Sequence, residues 1–79
     1  MMADPLLEVF AEGLGLSVDV LDEDTSPDTV AEWDSLAAMN LVTLIEDTFS
    51  VSLGTRDIMK MRSIGLARSV LKAKGVAGI

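Results

Sequence analysis

The chain has 79 residues, 49% of them hydrophobic and 24% charged, with a net charge of −7. That length allows one small domain, and the balance is globular rather than disordered. There is no Cys and no His, which excludes a disulfide framework, a zinc ribbon, a Ser-His-Asp triad and a Cys-His pair, and so argues against an enzyme. No apolar run approaches the length of a membrane span. Asp4 stands in an N-terminus without early Lys or Arg, so no secretory signal is expected and the location expected is cytoplasmic.

The charge is divided along the chain. Residues 1–55 hold 12 acids and no base, whereas residues 56–79 hold six bases and one acid, Asp57. The basic segment is short and lacks interleaved aromatics, so nucleic acid is not an expected partner. The acidic majority favours docking to basic surfaces of other proteins, beyond keeping a small apolar protein soluble.

Asp4-Pro5 reads as an N-cap followed by Pro at the first helical position. Leu6, Val9, Phe10 and Gly13 then recur at helical spacing, Glu8 and Glu12 point away, and Gly13 with Gly15 is expected to end the helix. Residues 14–34 keep no period and contain the polar cluster Asp22–Asp28. So long a connection in a small domain suggests function or a necessary crossover. Leu16, Val18, Leu21, Val30 and Trp33 are expected to pin it to the body. Gly13-Leu14-Gly15 lacks the third glycine and preceding strand of a dinucleotide fingerprint. Asp22-Glu23-Asp24 fails as an EF-hand, because Pro27 and Trp33 stand where Gly and Glu are needed. A solvated loop is the simpler reading there, with a loose divalent site as the alternative.

From Ser35 to Ser50 the helical pattern is strong. Ala38, Leu41, Val42, Ile45 and Phe49 fall within one arc of roughly 100°, the width of a core-facing stripe. The opposite arc carries Asn40, Thr43, Glu46 and Asp47, together with Leu36 and Met39, which the core does not need. Gly54-Thr55 opens a short helix with Ile58 and Met61 three apart. Ser63 caps a last helix in which Ile64, Ala67, Val70 and Leu71 share a face, and which Gly75 stops. Residues 49–53 form a weak strand-like stretch. The expected core is Phe10, Leu41, Ile45, Phe49, Ile58, Val70 and Leu71.

Asp34-Ser35-Leu36 joins the long loop to the strongest helix. Asp34 or Ser35 can be a plain N-cap. Beyond that, no residue in the chain could activate Ser35 as a nucleophile, so any reaction there needs another protein. A helix N-terminus also favours a phosphate. Leu36 and Met39 put an apolar patch beside it, as docking sites do.

At these residues the sequence resembles an acyl carrier protein, over essentially the whole chain. The specific part is Glu32-Trp33-Asp34-Ser35-Leu36, continuing to Leu41-Val42 and Ile45-Glu46-Asp47-Thr48-Phe49. The resemblance implies an all-α, acyl-carrier-like four-helix bundle with a long first loop and a short third helix, spanning 1–79 as a single domain and monomeric. It implies that Ser35 accepts a covalent 4′-phosphopantetheine arm from coenzyme A, by way of a separate, magnesium-aided phosphopantetheinyl transferase, with Asp34 and Leu36 flanking the attachment. The arm's thiol would hold an acyl group as a thioester, which gives a chain without Cys a means of carrying one. Leu36, Met39, Asn40, Thr43, Glu46 and Asp47 would form the partner face for the transferase and for acyl-loading, condensing or acyl-transfer enzymes. No catalytic or metal-ligating residue is expected, and the space between helices could swell around a bound chain.

The sequence departs from fatty-acid carriers of this family. Ala37, Ala38 and Asn40 occupy turns where those carriers place acids, and the last helix is basic. The departure points to a dedicated carrier of a specialised fatty-acid, polyketide or related pathway. A peptidyl or aminoacyl carrier with the same arm, and an unmodified acidic interaction module, are the alternatives.

Overall fold

Asp4 fixes where the first helix begins. In the computed structural model, which describes residues 4–79, its carboxylate accepts from the amides of Leu6 (3.1 Å) and Leu7 (3.3 Å), and helix α1 runs Pro5–Leu14. It is followed by α2 (Ser35–Phe49), the short α3 (Thr55–Lys60) and α4 (Ile64–Ala73); no strand occurs among the described residues. The expected all-α bundle is therefore what forms. The stretch 49–53 is irregular, turned by Ser50 in the left-handed region at φ 52°.

The apolar stripes of α1, α2 and α4 meet in one core. Leu6, Phe10, Ile45, Ile64 and Leu71 are its largest wholly buried side chains, with Val9, Leu14, Leu21, Trp33, Leu41 and Ala67 around them. Each of the larger side chains stabilises by roughly 1.5–3 kcal/mol when buried. Phe49 and Val70 are only half-buried. Ile58, expected in the core, is 39% exposed: α3 packs against α4, and this side chain sits at the edge of the bundle, facing a groove beside α2.

Gly13 does not end α1 as expected; it lies within the helix, and Gly15, at φ 69°, closes it in the left-handed conformation that glycine adopts without a steric cost. Gly13 instead lets α1 and α2 approach. A Cβ there would stand 2.5 Å from Cδ2 of Leu41, a buried side chain of α2 that would have to shift to admit it.

The long loop is bound down rather than free. Leu21 and Trp33 are buried and Leu16 and Val30 half-buried, while Val18 faces solvent on a single 3₁₀ turn, Val18–Val20. Thr25 is buried, and its hydroxyl accepts from the Asp22 amide at 2.9 Å. The loop then meets the N-terminus of α4. The amides of Ile64 and Gly65 donate to the carbonyls of Thr25 (3.0 Å) and Glu23 (2.9 Å), and Ser63 Oγ accepts from Leu66 (3.1 Å). Three amides that a helix start leaves unpaired are thereby satisfied. Gly65 makes this possible, since a Cβ would lie 3.1 Å from the Glu23 carbonyl oxygen.

Arg68 closes the same corner. It bonds Asp4 (2.8 Å) and Glu23 (2.8 and 2.9 Å), joining α1, the loop and α4. Partial burial pushes the Asp4 carboxyl up, but the Arg68 hydrogen bond, the amides of Leu7 and Leu6 and the guanidinium's charge together hold it below its ordinary value. A depressed carboxyl stabilises the fold fully above its unfolded pKa, about 3.9, and that contribution is lost as pH falls through the folded value. Arg68→Met is expected to lower stability by about 1–2 kcal/mol at neutral pH, the range left to half-exposed pairs plus lost packing. It should also flatten the acid limb below about pH 4. Urea unfolding across pH 2–7 checks both; an unchanged acid limb would remove Asp4–Arg68 from the account.

Candidate functional site: the start of helix α2

Trp33 is where the loop stops wandering. Its ring is 5% exposed and packs on Phe10 at 5.1 Å between centroids, tilted by 57°. This contact fixes the backbone one residue ahead of Asp34. Asp34 then caps α2: its Oδ1 accepts from the Ala37 amide at 2.8 Å and its carbonyl from Ala38 at 2.9 Å. Asp34 is therefore the cap, which leaves the Ser35 side chain out of the capping bond. Ser35 is exposed at the first position of the helix.

The two helix starts that bear on the loop differ in a useful way. At α4 the first amides are consumed by the loop. At α2 the amides of Ser35 and Leu36 donate to no described residue, so the helix start beside the Ser35 hydroxyl keeps two free donors. A phosphodiester on that oxygen would meet these two donors and the positive end of a 15-residue helix. The site thus fits a phosphate-linked group, and among the described residues no side chain hydrogen-bonds the Ser35 hydroxyl, the Asp34 Oδ1 being engaged by Ala37.

Leu36 and Met39 are each 71% exposed on the turns that follow. Asn40, Thr43 and Asp47 are exposed too. Glu46 differs: it is half-buried and its Oε2 accepts from the Leu53 amide at 2.8 Å, while its carbonyl accepts from Val51 at 3.2 Å. It organises the chain between α2 and α3 as well as lying on this side of the helix.

Between α2 and α3 runs an open groove of about 230 Å³, lined by Ala38, Met39, Val42, Thr43 and Ile58. Beneath it lies a cavity of about 40 Å³ that shares Ala38, Val42 and Ile58 as its wall. Ile58 was missed as a surface residue by sequence reasoning, because its three-residue spacing from Met61 imitates a core pair. With Met59, also exposed, it extends the apolar surface of α2 onto α3.

Among the described residues no three His, Cys, Asp or Glu side chains are grouped to hold a metal ion, and no helix is long and apolar enough to cross a membrane. The Asp22 carboxylate is turned into its own loop, accepting from the Asp24 amide at 2.9 Å and from Thr25 Oγ1 at 3.3 Å.

Comparison with curated proteins returned no match. The family model described as a phosphopantetheine attachment site matches residues 4–66, a span that runs from the cap of α1 into α4 and includes the whole of α2. The chain belongs to that family: it is a carrier protein, not a catalyst, with 4′-phosphopantetheine as its prosthetic group and a phosphopantetheinyl transferase to install it.

Proposed function

We propose that Ser35 is the attachment point and that the protein is an acyl carrier, working as a single carrier domain, in a specialised biosynthetic pathway. The observation that carries this is the exposed Ser35 hydroxyl at the start of α2, left free by an Asp34 cap and flanked by two open amides. Transfer from coenzyme A forms a bond between Ser35 Oγ and the phosphorus next to pantetheine and breaks the pyrophosphate link. The adenosine bisphosphate leaves, and the Oγ proton goes to a base of the transferase. Once attached, the group supplies a thiol that holds the cargo as a thioester.

Asp34 sets the helix start, and the amides of Ser35 and Leu36 would hold the phosphate. Leu36 and Met39 offer apolar contact to the modifying and loading enzymes, Asn40 and Thr43 polar contact, and Asp47 steers basic surfaces towards them. Glu46 contributes its second oxygen, the first being engaged by Leu53. An acyl rather than peptidyl cargo is favoured by the groove beside Met39, whose lining is almost wholly apolar. The cavity beneath it is too small for a chain as it stands, so shelter of a cargo would require α3 to move away from α2. A specialised pathway is favoured by Ala37 and Ala38 in the first turns of α2, which take away the acids that fatty-acid carriers of this family present there.

Incubation with coenzyme A, magnesium and a broad-specificity phosphopantetheinyl transferase is expected to add one arm, read as a single mass increment. Acyl and aminoacyl coenzyme A analogues loaded the same way separate the cargo readings. A fatty-acyl arm is expected to shift amides of Ala38, Val42 and Ile58, and an aminoacyl arm to leave them alone. Shifts confined to the neighbourhood of Ser35 in both cases would remove the case for an apolar cargo.

A further inference from the structure

Helix α4 carries more apolar surface than the core uses. Ile64, Ala67 and Leu71 are wholly buried and form its core stripe. Leu66, Val70 and Ala73 make a second stripe at i, i+4 and i+7, and Leu66 is 49% exposed. That second stripe floors an open groove of about 540 Å³ between α3 and α4, with Ser69 alongside and Asp57, Lys60 and Lys74 at its edges. No residue of α2 lines it.

The charge around this groove is opposite to that of the chain. Lys74 Nζ sits 2.9 Å from Asp57 Oδ2, and Asp57 also accepts from the Gly54 amide at 3.0 Å. The one acid of the basic segment is thus neutralised, and Lys60 makes no ion pair among the described residues. The edges carry two lysines against one aspartate, on a protein of net charge −7.

We propose that the α3–α4 groove is a second docking surface, which seats an amphipathic helix of a partner protein that has an apolar stripe and acidic flanks. The apolar floor takes the stripe, and Lys60, the groove cation with no ion pair among the described residues, meets the acids. The groove is open to solvent, as a bound helix needs, whereas a small molecule is held in a deeper cavity. A second copy of the chain is a poorer occupant. It would have to bring a different face to the groove, a head-to-tail contact that does not close, between two bodies that each carry −7. On the carrier reading above, this surface lets the protein be held by one partner while the Ser35 end of α2 is presented to another.

The test uses an amphipathic peptide of about 18 residues with Leu at i, i+3, i+4 and i+7 and Glu on its flanks, and the same peptide with Lys flanks. Amide NMR of the whole protein is expected to show saturable shifts in residues 57–60 and 66–74 with the Glu peptide, weakening as salt rises. The Lys peptide is expected to bind about tenfold more weakly or worse, and the double variant Lys60→Glu/Leu66→Gln to weaken the Glu peptide by about tenfold. Both replaced side chains are solvent-exposed, and a thermal melt verifies that the variant is folded. Absence of saturable groove shifts, equal binding of the two peptides, or shifts confined to α2 would overturn the proposal. So would groove amides that broaden with protein concentration alone while sedimentation reports a dimer. The readout involves no arm, and Ser35→Ala is expected to leave it unchanged, so its failure is distinct from failure of the carrier reading.

Discussion

Ser35→Ala is expected to abolish addition of the phosphopantetheine arm while leaving the melting curve nearly where it was. The two halves of that result come from one structural fact. The bond that starts α2 is made by Asp34, whose carboxylate accepts from Ala37, so the Ser35 hydroxyl contributes nothing to the cap. The side chain is exposed, and alanine is the better helix former, so the stability change should stay within about 0.5 kcal/mol. Loss of modification then reports the missing oxygen and not a missing fold. Asp34 gives the complementary result. Asp34→Ala removes the cap and is expected to cost about 1 kcal/mol, whereas Asp34→Asn keeps an acceptor for Ala37 and should restore most of it. If the transferase reads the Asp34 charge as well as the helix start, Asp34→Asn will be stable yet modified more slowly. Thermal melts paired with mass-spectrometric time courses separate these roles. An arm that still appears on Ser35→Ala would move the attachment point elsewhere and overturn the site.

Why the start of α2 was so legible and its surroundings less so has a physical explanation. A helix start is written locally. A capping acid, a serine and a 15-residue stripe can be read from neighbours in the sequence, and Leu36 and Met39 betray themselves by being apolar off the core arc. The four helices were legible for the same reason, since Asp4, Gly54 and Ser63 mark their starts and Leu41 and Ile45 their inner faces. What could not be read is what depends on residues far apart. Gly13 looks like a helix end until Leu41 is seen to occupy the space above it. Gly65 looks like a weak point in α4, yet it admits the carbonyl of Glu23, a residue 42 positions earlier. Arg68 reads as a cation suited to a helix C-terminus, but its partners Asp4 and Glu23 lie in the acidic half of the chain. Ile58 is the instructive error. Its spacing from Met61 is helical, but α3 is only six residues long, and so short a helix can turn either face to the body. It packs on α4, with Asp57 paired to Lys74, and leaves Ile58 in the groove beside α2, none of which a local period contains.

Trp33→Ala is expected to be the most damaging single change in the protein. The ring is nearly wholly buried, packs at a tilt against Phe10, and is the last anchor of the loop before the helix that bears Ser35. Removing a buried aromatic of this size costs about 3–5 kcal/mol, and a domain of this length has little more than that in total. A fall in melting temperature on the order of 15 °C or more is expected, with a fraction of the protein unfolded at ambient temperature. Trp33→Phe keeps a ring against Phe10 and should recover most of the loss. Because Trp33 acts on Ser35 through the backbone, the two variants also test how the site is held. Modification of Trp33→Ala should be slow even at temperatures where circular dichroism shows the helices present, since the chain entering Asp34 has lost its fixed point. Trp33→Phe should be modified at close to the parent rate. Trp33 is the sole tryptophan in the chain, so in the parent protein its fluorescence reports this one contact without labelling. Its emission should shift to the red in step with loss of helix, as expected of a two-state domain. If Trp33→Ala melted with the parent, or were modified as fast, the loop would be positioned by Leu21 and Thr25 alone, and the tryptophan would be no part of what presents Ser35.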